Sequence, residues 1–470
     1  MLVPMDPVSA AFMFADSRAT PMHVGGLHLF TLPDGAGPEW VRAEFERSID
    51  VEHLSPVYRK RPYRSVRTAG QWFWREDTDL DLEHHVRLSA LPDPGRIREL
   101  LELGGRLHST RMGFDRPLWE IHFITGLADG RTAMYSKIHH ALVDGVAAMR
   151  LLQAGLTTDP ERRDMPPVWS ARSAATDRIT EEREALSERL MEVPLGAARS
   201  ALGLLADAAG MPAALVRTLN RGVRNQSAPV AFYSPRTILN QRITGSRRIA
   251  AQDWEIARMR AVGKATGATL NDVVLAMCAG ALRHYLIELD ALPDQSLISM
   301  VPMSFKLDQA GVASDKGGNS VGSLMVKLHT DEPDPATRLS AISRSVKDAR
   351  AAVKSMSQMQ LVAMSGLGMS PLVLAPMLGI QGFTRPPFNL VISNVPGPRK
   401  PLYLNGAKLD GMYPLSIPTH GQAMNITCTS YNGRMNFGLT GCRRTAPSLQ
   451  RLLTHLDDEL IALEEAAGVS

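Results

Sequence analysis

His139-His140-Ala141-Leu142-Val143-Asp144-Gly145 gathers two imidazoles, a carboxylate and a glycine within seven residues. Histidine exchanges a proton near neutral pH. A His at the rim of a cleft can therefore take the proton of a hydroxyl as its oxygen attacks a carbonyl. An Asp four residues on can fix the intervening loop, and Gly145 admits close backbone packing. Taken singly, His139-His140 also reads as the end of a strand and Asp144 as the cap of a helix starting at Gly145. Jointly, the pattern should arise by chance in about one chain in a thousand. His84-His85 is an internal control: no Asp or Gly follows it at the matching offsets, so that pair reads as structural. Zinc would need further ligands that nothing near the motif supplies, and a serine nucleophile would need a Gly-x-Ser-x-Gly elbow that the chain lacks. No metal is expected.

The motif must be carried by a strand and a helix. Ile121 to His140 reads as a hairpin about Ala128-Asp129-Gly130, a two-residue turn signal, so His140 closes a strand. Val146, Met149 and Leu152 then recur at helical spacing. Upstream, Pro21 to Phe30 reads as a strand and Glu39 to Ile49 as a helix. Downstream, Thr269-Leu270-Asn271-Asp272 opens a buried helix that Thr269 and Asp272 could cap. Met424 to Tyr431 and Met435 to Thr440 alternate in polarity around Asn432-Gly433, another hairpin. Strands and helices are mixed in both halves, and the stretch between is rich in charge, Pro and Ser before turning apolar. The expected organisation is a lobe over 1–156, a connection with its own helices over 157–234, and a second α/β lobe over 235–470.

Composition bounds the function. A chain of 470 residues exceeds one ordinary core, and 44% hydrophobic with 21% charged residues suits a globular protein. The balance of 52 Lys and Arg against 48 Asp and Glu, +4 overall, gives no electrostatic footprint for nucleic acid. Cys278, Cys428 and Cys442 form no CxxC pair, and the amino terminus lacks a secretory pattern, so a reducing cytoplasm is expected.

Several stretches together resemble the bacterial wax ester synthase/diacylglycerol acyltransferase family, within the coenzyme A-dependent acyltransferases that carry His-x-x-x-Asp-Gly. They are Pro21 to Gly26, Arg116-Pro117-Leu118-Trp119-Glu120, the motif itself, Asn271 to Ala276, Val301-Pro302-Met303-Ser304, and Ser393 to Pro398. The resemblance implies an α/β fold of two chloramphenicol-acetyltransferase-like lobes with mixed sheets and an active-site tunnel between them. It implies direct transfer of a long-chain acyl group from acyl-CoA, as co-substrate without a further cofactor, to diacylglycerol or a long-chain alcohol. His140 would be the base and Asp144 an orienting carboxylate, with His139 and Gly145 as motif support. Asn271 would donate to the oxyanion, or serve only as a polar residue at a helix start. Trp119 reads as a core anchor and Ser393 to Pro398 as a turn.

Two stretches suggest contact with lipid. Ser355 to Thr384 has no charged residue, but Gly366, Gly368, Pro371 and Pro376 interrupt it, so it reads as an interfacial, tunnel-lining or core segment. Leu195 to Arg224 is Ala-rich, with four Arg against Asp207, and suits a membrane or lipid-droplet surface or a helix packed across two domains. Two alternatives remain. One is a peptide-condensation domain, although Arg-His-Glu-x-Leu-Arg is missing upstream. The other is a lipid-body or lipid-binding protein without catalysis.

Overall fold

Turn chemistry and strand periodicity give three sheets among the described residues. The computed structural model describes residues 2–143, 145–170, 234–307, 318–354 and 386–469. The first half runs β1 (Leu2–Pro4), helix Pro7–Ala15, β2 (His23–Thr31), helix Pro38–Ile49, β3 (Lys60–Tyr63), β4 (Phe73–Glu76), β5 (Val86–Ala90), helix Ile97–Ser109, β6 (Trp119–Thr125), β7 (Thr132–His139) and helix Gly145–Ala154. The second half runs β8 (Arg247–Glu255), helices Ile256–Thr266 and Leu270–Glu288, β9 (Ile298–Leu307), β10 (Gly318–Lys327) and helix Pro335–Lys354. It continues with β11 (Leu390–Val395), β12 (Tyr403–Leu404), β13 (Ala407–Leu415), β14 (Met424–Tyr431), β15 (Arg434–Cys442) and helix Arg451–Ala467.

The first large sheet has the order β12-β13-β2-β7-β6-β5, the second β10-β9-β11-β14-β15-β8, and a small sheet β1-β4-β3 flanks the first. Both large sheets are mixed. β5 runs parallel to β6, and β11 runs parallel to β14 and β9, while the other pairs are antiparallel. β12 and β13 come from the second half of the chain but pair into the first sheet, with Leu409 opposite Phe30 and Tyr413 opposite Leu27. The first sheet is therefore discontinuous in sequence, and the 235–470 segment does not coincide with the second sheet. Of the expected connection, 171–233 lies outside the described residues.

Local signals explain the elements that matter here. Asp6-Pro7 starts helix Pro7–Ala15: the Asp6 carboxylate accepts from the amides of Val8 and Ser9, and Pro fits the first turn. Asn432-Gly433, both at positive φ, make the two-residue turn that puts Tyr431 opposite Arg434. The β6–β7 connection departs from expectation, because it spans six residues, 126–131, and not a two-residue turn. Gly126 and Gly130 take positive φ, and the loop leans on the 91–95 segment through the Ala128 amide on Gly95 O at 2.8 Å. That contact needs a longer loop than a tight turn provides.

Helix Leu270–Glu288 is buried on most sides, and Val273, Val274, Met277, Leu282 and Leu286 lie in the large apolar cluster of the second lobe. Its bent pairing with helix Ile256–Thr266 has the length and composition of a broken span. No single helix among the described residues is long and apolar enough to cross a membrane.

Candidate active site

The motif loop is built from the end of β7. In the antiparallel register His139 lies opposite His23, and the β ladder passes to the loop through two amides, His139 N to Leu118 O (2.9 Å) and His140 N to Met22 O (2.8 Å). The chain then turns sharply, with the Leu142 amide donating back to His139 O at 2.9 Å. Consecutive strand residues point to opposite faces, so the two histidines part company here. His139 is buried, whereas His140 remains partly exposed.

His139 is committed to structure. Its Nδ1 accepts the Ala141 amide at 3.1 Å, so a neutral ring carries its proton on Nε2. That nitrogen faces the Asp16 carboxylate at 3.8 Å, beyond hydrogen-bond reach. Asp16, whose side chain is buried, binds the Met22 amide through Oδ1 and the Arg111 guanidinium through Oδ2 at 2.7 Å. Arg111 lies over the Phe114 ring, and Phe114 meets the His139 ring edge-on.

His140 stacks on Phe12, with ring centroids 4.1 Å apart and planes 19° from parallel. The same helix holds the loop one residue further on: the Ser9 hydroxyl lies 2.9 Å from Ala141 O and 2.6 Å from Asp6 Oδ2. Helix Pro7–Ala15 thus sets both the plane of the His140 ring and the height of the loop. Asp144 lies outside the described residues, and helix Gly145–Ala154 begins directly after it. Among the described residues, no group of three or more His, Cys, Asp or Glu is arranged to hold a metal ion.

Behind the loop lies a buried polar layer. Lys137 Nζ donates to Leu107 O, Thr110 O and Glu120 Oε2 at 3.0–3.2 Å, which satisfies all three of its protons. Burial pushes the Glu120 carboxyl up, but the His122 hydrogen bond and the Lys137 ammonium outweigh this and bring it down to about 2. His23 Nε2 donates to His108 O. His108 Nε2 donates to Ser416 O at 3.1 Å, which leaves its Nδ1 to accept from the Tyr135 hydroxyl. Burial brings His108 down to about 3 and, with the His108 and Lys137 charges, holds His23 well below the ordinary imidazole value. Gly25 makes this packing possible, since a Cβ there would meet Ser136 O at 2.8 Å and His108 Nδ1 at 3.2 Å.

The second lobe grips the approach to the site. Arg247, at the start of β8, donates to Ala19 O at 2.7 Å, in the loop between the Phe12 helix and β2, and its amide donates to Ser109 Oγ. Asn271 belongs to the first turn of helix Leu270–Glu288 and is not its cap. Thr269 Oγ1 accepts the Asp272 amide, Asp272 Oδ2 accepts the Thr269 amide, and Ser343 donates to the same carboxylate. The Asn271 Nδ2 is buried and has no hydrogen-bond partner among the described residues. A buried amide donor in that state is costly unless a ligand completes it.

Trp119 is a core anchor. It is buried, donates to Tyr58 O at 2.8 Å and stacks on His85, whose Nδ1 bonds to Trp119 O. His84-His85 is structural accordingly. Sequence reading missed Ser9, Phe12 and Asp16, and the Asp6-Pro7 start of their helix was the available signal.

The wax ester synthase/diacylglycerol acyltransferase catalytic domain matches residues 5–274 and the WS/DGAT C-terminal domain residues 317–464. Proteins of Mycobacterium bovis and Mycobacterium tuberculosis that carry the name diacylglycerol O-acyltransferase are 45% identical over 99% of both chains. The wax ester synthase/diacylglycerol acyltransferase from Marinobacter aquaeolei VT8 superposes with a TM-score of 0.76 at 39% identity, covering 99% of this chain and 100% of that one. The first condensation domain of the calcium-dependent antibiotic synthetase shares the fold at a TM-score of 0.56 and 16% identity, over 99% of this chain and 96% of that one. The expected mixed-sheet α/β class is therefore the fold of this chain.

Proposed function

Since the chain belongs to the wax ester synthase/diacylglycerol acyltransferase family and is an acyltransferase, we propose that it moves a long-chain fatty acyl group from acyl-CoA to diacylglycerol, a long-chain alcohol, or both. The general base is His140. One observation carries that assignment: of the paired histidines, His139 is consumed by the Ala141 amide inside the protein, while His140 is partly exposed with its ring plane fixed by Phe12.

In the reaction, His140 takes the hydroxyl proton as the acceptor oxygen attacks the thioester carbonyl. The tetrahedral intermediate collapses with cleavage of the C–S bond, and the departing CoA thiolate receives the proton from the imidazolium. No acyl-enzyme forms. The unpartnered Asn271 amide supports a role as donor to the oxyanion, a kind of contact worth roughly 3 kcal/mol in well-studied enzymes. Asp144 orients the loop between His140 and the helix at Gly145, and no cofactor beyond acyl-CoA takes part. We place the enzyme in the cytoplasm, at the surface where its lipid acceptors reside.

Purified protein given a labelled long-chain acyl-CoA with diacylglycerol and hexadecanol in competition should yield labelled triacylglycerol, wax ester or both. Folded protein that forms neither ester would refute the assignment.

A further inference from the structure

We propose that the small sheet β1-β4-β3, with the outward side of helix Pro7–Ala15 and the 64–70 turn, is the surface by which the enzyme docks on an anionic lipid bilayer or monolayer. Of the eight large hydrophobic residues left exposed among the described residues, Leu2, Val8, Phe14 and Val66 lie here, and Val66 is 96% exposed. Concentration of such residues in one short region is unusual for a surface facing only water.

These residues belong to one structural unit. Leu2 pairs with Arg75 and Pro4 with Phe73 across β1 and β4, and Arg61 and Tyr63 continue the same rows on β3. By strand alternation Leu2, Arg75 and Arg61 share a face with Pro4, Phe73 and Tyr63, opposite the face that sends Trp74 into the core. Phe14 meets Trp72 at 6.2 Å, and the Arg64 guanidinium lies over both rings, at 5.1 and 5.5 Å, while its Nε bonds to Gly70 O.

Charge selects the partner. Between residues 59 and 77 there are six Arg and Lys against only Glu76 and Asp77, and Glu76 already pairs with Arg59 at 3.2 Å. Among the described residues no carboxylate pairs with Arg61, Arg64, Arg67 or Arg75. Aliphatic side chains at the tips, aromatic rings beside them and unpaired guanidinium groups around them fit a headgroup layer: the apolar tips embed while arginine reaches back to phosphate. Helix Pro7–Ala15 couples this surface to the chemistry, because Val8 and Phe14 are exposed while Phe12 stacks on His140. Docking there would bring a membrane-dissolved acceptor to the motif's side of the molecule, a consequence that rests on the acyl-transfer reading.

The test is co-sedimentation of the full chain with vesicles of phosphatidylcholine and phosphatidylglycerol against phosphatidylcholine alone. The wild type should bind the anionic vesicles preferentially. Leu2→Asp with Val66→Asp, and separately Arg67→Glu with Arg75→Glu, should each weaken that binding at least tenfold. One basic residue at an anionic surface is worth about fivefold in partition. Arg260→Glu with Lys264→Glu, exposed on a helix of the second lobe, should bind as the wild type does. Thermal melts establish that each variant is folded, and transfer to a water-soluble short-chain alcohol should be unchanged in all of them. Wild-type protein that ignores anionic vesicles, undiminished binding by either surface variant, or an equal loss in the second-lobe pair would overturn the proposal. Should the acyl-transfer reading fail instead, no protein would form ester while the binding pattern stood.

Discussion

The interiors beneath the two large sheets are built of different material. Under β7 and its neighbours lie His23, His108, Glu120, His122, Lys137 and His139, all buried and most hydrogen-bonded. Under β14 and β15 lies an aliphatic cluster fed by helix Leu270–Glu288, with the buried ion pair of Arg338 and Glu459 at its edge. Burying an imidazole or an ion pair stabilises far less than burying the same area of hydrocarbon. The first lobe, beside its own apolar clusters about Trp119 and Leu27, therefore gives up some cohesion to fix the motif loop, whereas the interior about helix Leu270–Glu288 is given over to apolar burial.

Four measurements would break or sharpen that contrast. The largest effect belongs to the first lobe: His140→Ala should lower turnover by about a thousandfold, with the melting temperature nearly unchanged. Turnover within tenfold of the wild type would remove His140 from the reaction. The second lobe should respond in the opposite sense. Leu282→Ala, at a fully buried position of the aliphatic cluster, should cost about 3 kcal/mol in denaturant unfolding while activity per folded molecule is retained.

Acid should find the first lobe next. Burial brings His28 and His85 to about 4 and His108 to about 3, and His23 is lowered too. Folded values thus lie below the ordinary imidazole value near 6.5, so as pH falls below it the unfolded chain takes up protons that the folded chain refuses. Stability is full above about pH 7 and declines toward pH 4, by about 1 kcal/mol per pH unit for each such histidine. Urea unfolding that is flat from pH 7 to pH 5 would contradict the buried-neutral state. The smallest effect is expected from Phe12→Leu, which removes the stack on His140. A ring contact of this kind is worth about 1 kcal/mol, so kcat should fall roughly fivefold with stability little changed.

The contrast also sorts what could be read in the sequence. The aliphatic lobe was legible: Thr269 and Asp272 announced a cap, helical periodicity from Val273 onward announced burial, and Asn432-Gly433 announced the turn of a hairpin whose second strand, Arg434–Cys442, runs longer than the expected Met435 to Thr440. Each of those signals is local. The histidine motif was legible as composition and spacing, but the division of labour between His139 and His140 was not, because it depends on a helix more than a hundred residues upstream. Phe12, Ser9 and Asp16 carry no signature of their own. Likewise nothing local marks His108, whose packing against β2 depends on Gly25. The β6–β7 loop is longer than Asp129-Gly130 implies, because that pair makes a tight turn only where nothing else claims the flanking backbone, and here the 91–95 segment does.

The exchange of β13 into the first sheet has a temporal consequence. Thr31 and Asp410, hydrogen-bonded across the β2–β13 border, are 379 residues apart in sequence. During synthesis β2 leaves the ribosome among the first segments and waits, with one edge unpaired, until almost the whole chain has followed. Contacts of such long sequence separation close slowly, and an open strand edge is a site of mispairing in the interval. The lobe that carries the motif is thus the first to be begun, yet it cannot close its sheet until β13 is made, shortly before the last strands and helix of the second lobe.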